Sequence, residues 1–438
     1  MFKFVYFLFF TSIFVLFSCN KQNELASEKS SESEISVQKE PELSEDEKAV
    51  LRKKTAIKTF VESLGEEERV AQLFLVNVEG SDSYYAVETR SDGKPLLPGG
   101  TLLFSFNIAD TASGVANYIG SIKNYALQRQ LVPPFVAVDQ EGGDVNRLRG
   151  ITSVLWSEQK VSERFSVDRA RELYAAQAQQ LKLLGVDLNL APVVEVANSS
   201  NTEFLGTRTF GTLENVIAYA GAEISALEEN GVASCLKHFP GNSATDPHTG
   251  LPHIVFNPSD LNLYISPFEK LLPKSSAVLM SHAIMKPTED ERIEDFSMPA
   301  CFSYHWVTEV VRNECKFDGL IVSDDIFMGA LANNGFPPEV AAVTAIRAGV
   351  DVIMLSEKKF GTVVKQILAE CHSDKDFEKR VLESVCRVID FKIKTGILTV
   401  EEHDDSLSIV SAPVKAFDSE AFSSARSTGI GIYDWSGK

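Results

Sequence analysis

The chain has 438 residues, of which 44% are hydrophobic and 24% charged, a composition typical of a globular protein with a large core. Its 42 basic and 61 acidic residues give a formal net charge of −19 at pH 7. Because phosphate-rich surfaces repel such a chain, this charge argues against nucleic acid or an anionic membrane surface as the main partner.

The first 19 residues are typical of an export signal. Lys3 is followed by an apolar run from Phe4 to Phe17, which is short for a membrane span. The run leads into Leu-Phe-Ser-Cys at positions 16–19, which resembles a lipobox, where the cysteine is lipidated. We therefore predict a lipoprotein-type signal peptide over residues 1–19 with Cys19 as the lipidation site. An ordinary cleaved signal or a short anchor is the alternative.

An acidic, serine-rich segment comes next. Asn20 to Lys48 contains nine acidic residues, four lysines and no aromatic residue. Such a composition buries too little apolar surface to fold, so we predict a disordered tether over residues 20–50. Together with Cys19, this tether predicts an exported lipoprotein that is anchored to the membrane through its lipid, at a periplasmic or outer-membrane face.

Short apolar runs with β-branched residues then recur eight times and predict strands. They are Leu73–Val78, Thr101–Phe104, Phe135–Val138, Val186–Leu190, Val232–Leu236, Ala277–Met280, Leu320–Val322 and Asp351–Leu355. Between them lie stretches of helical periodicity, among them Arg169–Leu184, Asn215–Asn230 and Pro338–Ala348, the last of which we expect to be capped by Gly349. Apolar strands alternating with helices predict a parallel sheet covered on both faces.

Eight such units predict an α/β protein whose single catalytic domain is a (β/α)8 TIM barrel over residues 51–400. A doubly wound open sheet is the alternative, although no GxGxxG follows the first strand. One more helix is predicted over Asp376–Lys394. Residues 401–438 show little amphipathic pattern and are predicted to be a C-terminal tail.

Polar residues follow five of the eight strands. They are Asp139 after the third, Glu195 beyond the fourth, Lys237 and His238 after the fifth, Ser281 and His282 after the sixth, and Asp324 and Asp325 after the seventh. Because the carboxyl ends of barrel strands share one face, we expect these side chains to converge. We interpret His282 as a structural residue and Asp325 as the N-cap of the next helix.

Five cysteines lie beyond Cys19, at positions 235, 301, 315, 371 and 386, and no CxxC pair occurs. We interpret them mainly as buried small hydrophobic residues. A disulfide between some pair stays open in an export compartment, without an assignable pairing.

The most specific pattern is residues 237–248, which read Lys-His-Phe-Pro-Gly and then a polar loop carrying Asp246 and His248. With six other segments in the same order, it resembles glycoside hydrolase family 3, and more closely that family's single-domain β-N-acetylglucosaminidases. The resemblance runs from about Ser63 to Glu357. The other segments are 64–74, 98–104, 138–143, 201–210, 323–328 and 345–351.

The resemblance implies a retaining exo-β-N-acetylglucosaminidase that removes terminal β-linked GlcNAc from peptidoglycan fragments or related oligosaccharides through a covalent glycosyl-aspartate intermediate. It implies Asp324 as the nucleophile, and His248 as the general acid/base, oriented by Asp246. The residues that it implies for sugar binding are Asp139, Arg147, Arg208, Lys237 and His238. No cofactor or metal is implied, and His238, His248 and His253 fit no zinc-binding pattern well. The acceptor, water or phosphate, stays open.

These residue types suit the chemistry. A retaining glycosidase needs a carboxylate below the anomeric carbon and a proton donor beside the leaving oxygen. Histidine can act as both acid and base near neutral pH, and a nearby carboxylate such as Asp246 could fix its tautomer.

The chain departs from the usual family pattern in four places. Asp144 stands where relatives usually have Arg, Glu195 replaces a usual Asp, Asn242-Ser243 replaces a usual His-Gly, and the catalytic loop is about two residues shorter. Two alternatives stay open: a β-glucosidase or other family 3 exo-glycosidase, and a non-catalytic surface-binding lipoprotein on a decayed barrel.

Overall fold

The computed structural model of the protein describes residues 43–247, 249–288, 294–403 and 406–435. It divides the chain into two units, Met1–Glu47 and Lys48–Lys438. The predicted signal peptide, Cys19 and most of the predicted tether lie outside the described residues. The tether prediction is wrong at its end, because a helix begins at Glu45. Three acidic residues occupy its first turn, where the helix dipole favours negative charge.

Fourteen strands are described. In chain order they are β1 (Phe74–Asn77), β2 (Gly100–Leu103), β3 (Phe135–Val138), β4 (Gln140–Gly142), β5 (Val145–Asn146), β6 (Leu188–Asn189), β7 (Ala233–Phe239), β8 (His253–Phe256), β9 (Ala277–Met280), β10 (Ile284–Pro287), β11 (Leu320–Ser323), β12 (Ile353–Ser356), β13 (Leu398–His403) and β14 (Ser406–Ser411). The predicted third and sixth barrel strands match β3 and β9 residue for residue, and the bounds of the other six differ by at most three residues.

Eight of these strands form a parallel barrel. They pair in the order β11–β9–β7–β6–β3–β2–β1–β12. Val322 of β11 also forms a parallel bridge with Val352, immediately before β12, which joins the two ends of this order. The predicted (β/α)8 barrel is therefore confirmed, and the doubly wound alternative is wrong.

The barrel interior is a packed core. One buried cluster takes side chains from all eight barrel strands, in chain order Leu75, Leu102, Ala137, Leu188, Cys235, Leu279, Val322 and Met354. Their neighbours along the strands belong to other buried clusters, as Phe74 and Val136 do, because side chains alternate between the two faces of a strand. Burial on both faces explains why the strand sequences are almost continuously apolar.

Fourteen α-helices are described. They are α1 (Glu45–Ser63), α2 (Glu66–Ala71), α3 (Ala112–Leu127), α4 (Glu158–Arg164), α5 (Val167–Leu184), α6 (Thr202–Leu205), α7 (Leu213–Asn215), α8 (Gly221–Glu229), α9 (Leu261–Leu271), α10 (Gly329–Asn333), α11 (Pro338–Ala348), α12 (Glu357–Ser373), α13 (Lys375–Lys394) and α14 (Ser419–Trp435). Two further stretches, Val216–Ala220 and His305–Glu314, are π-helical.

Predicted helix bounds agree best with the structure where a capping residue marks the end of the helix. Helix α11 has the predicted bounds, and Gly349 ends it in the left-handed region at φ 119°. Ser166 caps α5 by accepting a hydrogen bond from the backbone N–H of Arg169. The predicted helix over Asn215–Asn230 is instead split, because the π-helical stretch separates α7 from α8.

The C-terminal segment is more ordered than its sequence pattern indicates. Strands β13 and β14 form an antiparallel hairpin, and α14 packs against α5. Phe422, Ala425 and Ile432 of α14 are buried. The prediction of an unpatterned tail misses this helix, because serine and glycine interrupt its apolar face.

The five cysteines beyond position 19 form no disulfide, and Cys235, Cys301 and Cys371 are buried. The interpretation as small hydrophobic residues is confirmed for these three, whereas the other two are half-buried. Among the helices of the described ranges, none combines the length and the apolar character that crossing a membrane requires.

Candidate active site

Four of the predicted site residues lie at the carboxyl ends of barrel strands. Asp139 directly follows β3, Lys237 and His238 lie near the end of β7, and Asp324 directly follows β11. The backbone N–H of Asp324 donates to the carbonyl of Met280, the last residue of β9, at 3.0 Å. The sheet itself therefore holds the backbone of Asp324.

Oppositely charged side chains form a largely buried cluster at this end of the barrel. Its members are Asp139, Glu141, Arg147, Arg208 and Lys237. The Lys237 Nζ atom lies 2.7 Å from Asp139 Oδ1 and 2.6 Å from Glu141 Oε1. Arg208 donates to the two oxygens of Glu141 from Nε at 2.8 Å and from Nη2 at 2.9 Å. Arg147 lies at the edge of the cluster, with Nη2 4.0 Å from Asp139 Oδ2.

The charges in this cluster stabilise one another. Burial acts to raise the pKa of Glu141, but Lys237 and Arg208 outweigh it and lower that pKa to about 2. Burial acts to lower the pKa of Lys237, but Asp139 and Glu141 outweigh it and raise that pKa above its usual range. The pKa of Arg208 is raised in the same way, chiefly by Glu141 against the effect of burial. All three groups are therefore charged at neutral pH.

Glu141 was not predicted from the sequence. It lies in the Asp-Gln-Glu-Gly-Gly motif, two residues after Asp139, and its side chain is 1% exposed. The sequence feature that could have identified Glu141 is its position as an acidic residue between a predicted strand end and two glycines. Both glycines have positive φ and lie against the backbone of residues 156 and 157, so the chain turns tightly here.

His238 is held by Glu195. Its Nδ1 atom lies 2.7 Å from Glu195 Oε1, and because a carboxylate only accepts, Nδ1 carries the proton. A neutral His238 ring therefore has its Nε2 atom deprotonated. The sequence identified Glu195 only as a polar residue beyond the fourth strand.

The same carboxylate shapes the start of the catalytic loop. Asn242 donates to Glu195 Oε2 from its backbone N–H at 2.7 Å and to Oε1 from its side chain at 3.1 Å. Asn242 and Ser243 are buried. The Asn242 that replaces the usual His is therefore held in place by hydrogen bonds to Glu195.

The outer part of this loop carries Asp246. Its backbone carbonyl accepts hydrogen bonds from the N–H groups of Thr249 and Gly250, which closes a turn, and its side chain is exposed. The predicted acid/base His248 lies outside the described residues. The loop leads into β8, which pairs with β10 in a separate two-stranded sheet.

A buried histidine and a buried cysteine lie near the predicted nucleophile. The His282 Nε2 atom lies 3.1 Å from the carbonyl oxygen of Asp325, so Nε2 donates, and Nδ1 lies 3.2 Å from Cys301 Sγ. Burial, aided by the negative charge of Asp324, raises the pKa of the Cys301 thiol well above its usual range, so the thiol keeps its proton. His282 is thus buried and hydrogen-bonded, as the interpretation of a structural residue expects.

Asp325 turns the chain after the nucleophile. Its Oδ1 accepts from the backbone N–H of Phe327 at 2.8 Å, two residues on, and its own N–H donates to Asp324 Oδ1 at 2.9 Å. Helix α10 begins only at Gly329, and Met328 is its N-cap. The prediction that Asp325 caps a helix is wrong, because its side chain closes a turn instead.

The described residues contain no group of three or more His, Cys, Asp or Glu side chains that is placed to hold a metal ion. The contacts described above bring together carboxylates, cations and an imidazole. It can bind hydroxyl groups with both donors and acceptors, and it can offer a carboxylate to an electrophilic carbon.

A family comparison covers most of the chain. A family model described as the glycosyl hydrolase family 3 N terminal domain matches residues 66–391. The chain belongs to glycoside hydrolase family 3. The family relationship that the motifs indicated is confirmed, and the protein is a glycosidase.

Family 3 relatives are similar over most of this chain. A beta-hexosaminidase of Idiomarina loihiensis is 29% identical over 72% of this chain and 92% of its own length. A beta-hexosaminidase of Tolumonas auensis is 31% identical over 60% and 77%. Beta-hexosaminidase A of Pseudoalteromonas piscicida is 28% identical over 68% of this chain, which spans only 53% of that protein.

Solved family 3 structures share the fold. A β-N-acetylglucosaminidase from a Paenibacillus species has a TM-score of 0.68 at 24% identity, over 84% of this chain and 69% of that one. A β-N-acetylhexosaminidase from Beutenbergia cavernae has a TM-score of 0.65 at 24% identity, over 75% and 99%.

Proposed function

We propose that this family 3 glycosidase is a retaining exo-β-N-acetylglucosaminidase that removes terminal β-linked GlcNAc through a covalent intermediate on Asp324. The observation that carries the proposal is the buried cluster of Asp139, Glu141, Lys237 and Arg208, at the end of the barrel where β11 presents Asp324. The relatives named beta-hexosaminidase support GlcNAc as the sugar released.

The cluster has the chemistry to hold a terminal sugar. Carboxylates accept hydrogen bonds from hydroxyl groups, and lysine and arginine donate to ring substituents. Lys237 is 3% exposed, so the cluster forms the closed inner end of a site. A closed end accommodates the terminus of a glycan rather than its middle, which supports exo action.

The proposed reaction has two steps. In the first, a carboxylate oxygen of Asp324 forms a bond to the anomeric carbon while the bond to the leaving oxygen breaks, and the His248 imidazolium protonates that oxygen. In the second, neutral His248 takes a proton from an incoming water, whose oxygen displaces Asp324. The sugar leaves with its original configuration, and His248 is again protonated.

Peptidoglycan fragments, or related oligosaccharides, are the proposed natural substrates. The support is the export signal predicted from the sequence, which would place the enzyme beside the cell wall. We also propose that Cys19 carries the lipid that anchors it. The wild type should incorporate a radiolabelled fatty acid and the Cys19→Ala variant should not, and labelling of the variant would contradict the anchor.

The test of the function is turnover of two aryl glycosides. The wild type should release the aryl group from the β-GlcNAc glycoside much faster than from the β-glucoside. Asp324→Ala should lose at least about a thousandfold in kcat/KM, because the nucleophile is removed. Asp318→Ala, which removes an exposed carboxylate before the same strand, is the control and should stay active.

Three outcomes would contradict the proposal. A preference for the glucoside would favour the β-glucosidase alternative. An inactive wild type would favour the non-catalytic binding protein. Full activity of Asp324→Ala would contradict the assignment of Asp324 as the nucleophile.

A further inference from the structure

Helix α4 begins with a buried acid that the proposed mechanism does not use. Glu158, the first residue of the helix, is 1% exposed. It follows Ser157, which caps the helix by accepting a hydrogen bond from the backbone N–H of Lys160. Glutamate is almost never fully buried unless its charge is paired, so the contacts of Glu158 bear on its role.

The side chain of Glu158 is connected to the backbone of Lys237 through one intervening segment. Its Oε1 atom accepts a hydrogen bond from the backbone N–H of Val193 at 2.8 Å. Val193 forms a parallel bridge with Lys237, and the N–H of Val194 donates to the Lys237 carbonyl at 2.8 Å. The N–H of Lys237 donates to the carbonyl of Pro192 at 3.2 Å. Glu158 therefore holds the segment that fixes the backbone of Lys237.

The neighbours of Glu158 in the sequence contact the segments that carry two other members of the charged cluster. The backbone N–H of Gln159 donates at 3.2 Å to the carbonyl of Thr207, which directly precedes the arginine of the cluster. The carbonyl of Leu155 accepts at 3.1 Å from the N–H of Gly143, two residues after the glutamate of the cluster. Residues 155–159 therefore support the backbone beside the glutamate, the lysine and the arginine.

A negative charge on Glu158 would be poorly compensated. Its Oε2 atom is buried and has no hydrogen-bond partner among the described residues. The nearby cation Arg208 is already paired with both oxygens of Glu141. Burial, followed by the negative charges of Glu223 and Glu141, raises the pKa of Glu158 well above its usual range, against the smaller effects of Val193 and Arg208. The carboxyl group therefore keeps its proton at neutral pH.

The groups that surround Glu158 also favour its neutral form. Glu223 of α8 is buried as well, and burial followed by Glu141 raises its pKa well above the usual range, despite opposing effects of Tyr174 and Lys237. Burial, aided by the two acids, raises the pKa of Tyr174 of α5 in the same way, so its hydroxyl group stays neutral. A protonated Glu158 can donate a hydrogen bond in this group, whereas a carboxylate can only accept.

We propose that Glu158 is a positioning residue for the charged cluster and that it works as a neutral carboxylic acid. The inference rests on the proposed glycosidase function, in which the cluster holds the terminal sugar. The unprotonated oxygen of the acid accepts from Val193 and so holds the segment paired with Lys237. Because the acid is neutral, it does not compete with Glu141 for Arg208.

The first test compares two substitutions by kcat/KM for the aryl β-GlcNAc glycoside at pH 6. Glu158→Gln keeps the oxygen acceptor and has an N–H₂ donor where the neutral acid has its O–H, so its kcat/KM should stay within about threefold of the wild-type value. Glu158→Leu cannot accept from Val193, so its kcat/KM should fall roughly 10- to 100-fold. Glu163→Leu, at an exposed position of the same helix, is the matched control and should have the wild-type kcat/KM.

The second test measures the urea midpoint between pH 5 and pH 8 and needs no activity. Above about pH 4.5 the folded wild type keeps a proton that the unfolded chain releases, so the stability that this group contributes falls as the pH rises. Glu158→Gln has no such proton. Its urea midpoint should therefore rise relative to that of the wild type with increasing pH, whereas the difference between Glu163→Gln and the wild type should stay constant.

Three results would overturn the inference while leaving the glycosidase function intact. A folded Glu158→Leu enzyme with wild-type kcat/KM would overturn the positioning role, and Glu158→Met takes the place of this variant if the leucine variant does not fold. A loss in Glu158→Gln as large as that in Glu158→Leu would show that a carboxylate is needed. A midpoint difference between Glu158→Gln and the wild type that does not change with pH would overturn the neutral form.

Failure of the proposed function gives a different pattern. A wild type that is inactive on the aryl glycoside, with the pH trend of the urea midpoints present, would overturn the glycosidase function and with it the positioning role. The neutral form of Glu158 would then be supported by the midpoints alone.

Discussion

Glu141 controls the geometry of two cations that the proposed mechanism needs. It pairs with both Lys237 and Arg208, and it is almost completely buried. Because its pKa is lowered to about 2, it keeps its charge across the pH range in which a histidine acid/base works. We therefore assign Glu141 a positioning role and expect no limb of the activity profile near neutral pH to report its titration.

The Glu141→Gln variant tests this role. Glutamine replaces Oε2, which accepts from Arg208 Nε, with an N–H₂ donor and removes the negative charge that faces both cations. Lys237 and Arg208 should therefore lose their fixed positions, and kcat/KM should fall roughly 10- to 100-fold. The unfolding free energy should fall by about 3–5 kcal/mol, because buried cations lose a partner. Glu163→Gln, at an exposed position of α4, is the matched control.

Steady-state kinetics with chemical denaturation measures both effects. A Glu141→Gln enzyme with wild-type kcat/KM would contradict the positioning role, even if its stability were reduced. A stability loss alone would mean that the buried ion pairs serve only the fold.

At the scale of elements, the barrel strands were predictable and the supports of the site were not. Burial on both faces forces apolar residues into strands such as β3, so local composition reveals them. The contacts of Glu141 and of Glu195 with Asn242 join segments that are distant in sequence, and no local pattern indicates them. Helix α14 was missed because its docking surface depends on small residues rather than on an apolar stripe.

Helix α14 packs against residues 151–153, which follow the β4–β5 hairpin. The Arg426 Nε atom donates to the carbonyl of Ile151 at 3.1 Å. A Cβ at Gly429 would lie 2.2 Å from the Oγ of Ser153, so glycine permits the close approach of the helix. Ser153 also contacts Gln177 and Gln180 of α5. The C-terminal helix, α5 and this segment therefore form one packed unit.

Gly429→Ala should destabilise the protein by about 1–3 kcal/mol through overpacking. Gly431→Ala is the control in the same helix, because a Cβ there would meet nothing within 4 Å. Alanine at 431 should be neutral or stabilising by up to about 1 kcal/mol. Equal effects of the two substitutions in thermal unfolding would contradict the packing account.

At the scale of the whole molecule, the amino-terminal end of the barrel contains a buried lysine. Lys392 of α13 is fully buried, and its Nζ atom donates to Gln72 Oε1 at 2.6 Å. Burial, only partly offset by Asp187 and Glu68, lowers its pKa to about 7. Between pH 7 and about 10.5 the unfolded chain therefore binds a proton that the folded protein lacks, so folding is favoured as pH rises.

The Lys392→Met variant has no ionisable group at this position, so its stability lacks this contribution to the pH dependence. From about pH 7 upwards, the unfolding free energy of the wild type should gain on that of the variant by up to about 1.4 kcal/mol per pH unit. Urea denaturation at pH 7, 8 and 9 measures the difference. Lys365→Met, at an exposed position of α12, should show no such trend. A difference that stays constant with pH for Lys392→Met would contradict the lowered pKa.

The central claim, covalent catalysis by Asp324, is tested most directly by trapping the intermediate. An activated 5-fluoro derivative of β-GlcNAc should form the glycosyl-enzyme and release it slowly, so that peptide mass spectrometry can locate the bound sugar. We predict that the sugar is bound to Asp324 in the wild type and that no adduct forms in Asp324→Asn. A sugar bound to another residue, or a product released with inverted anomeric configuration, would contradict the account.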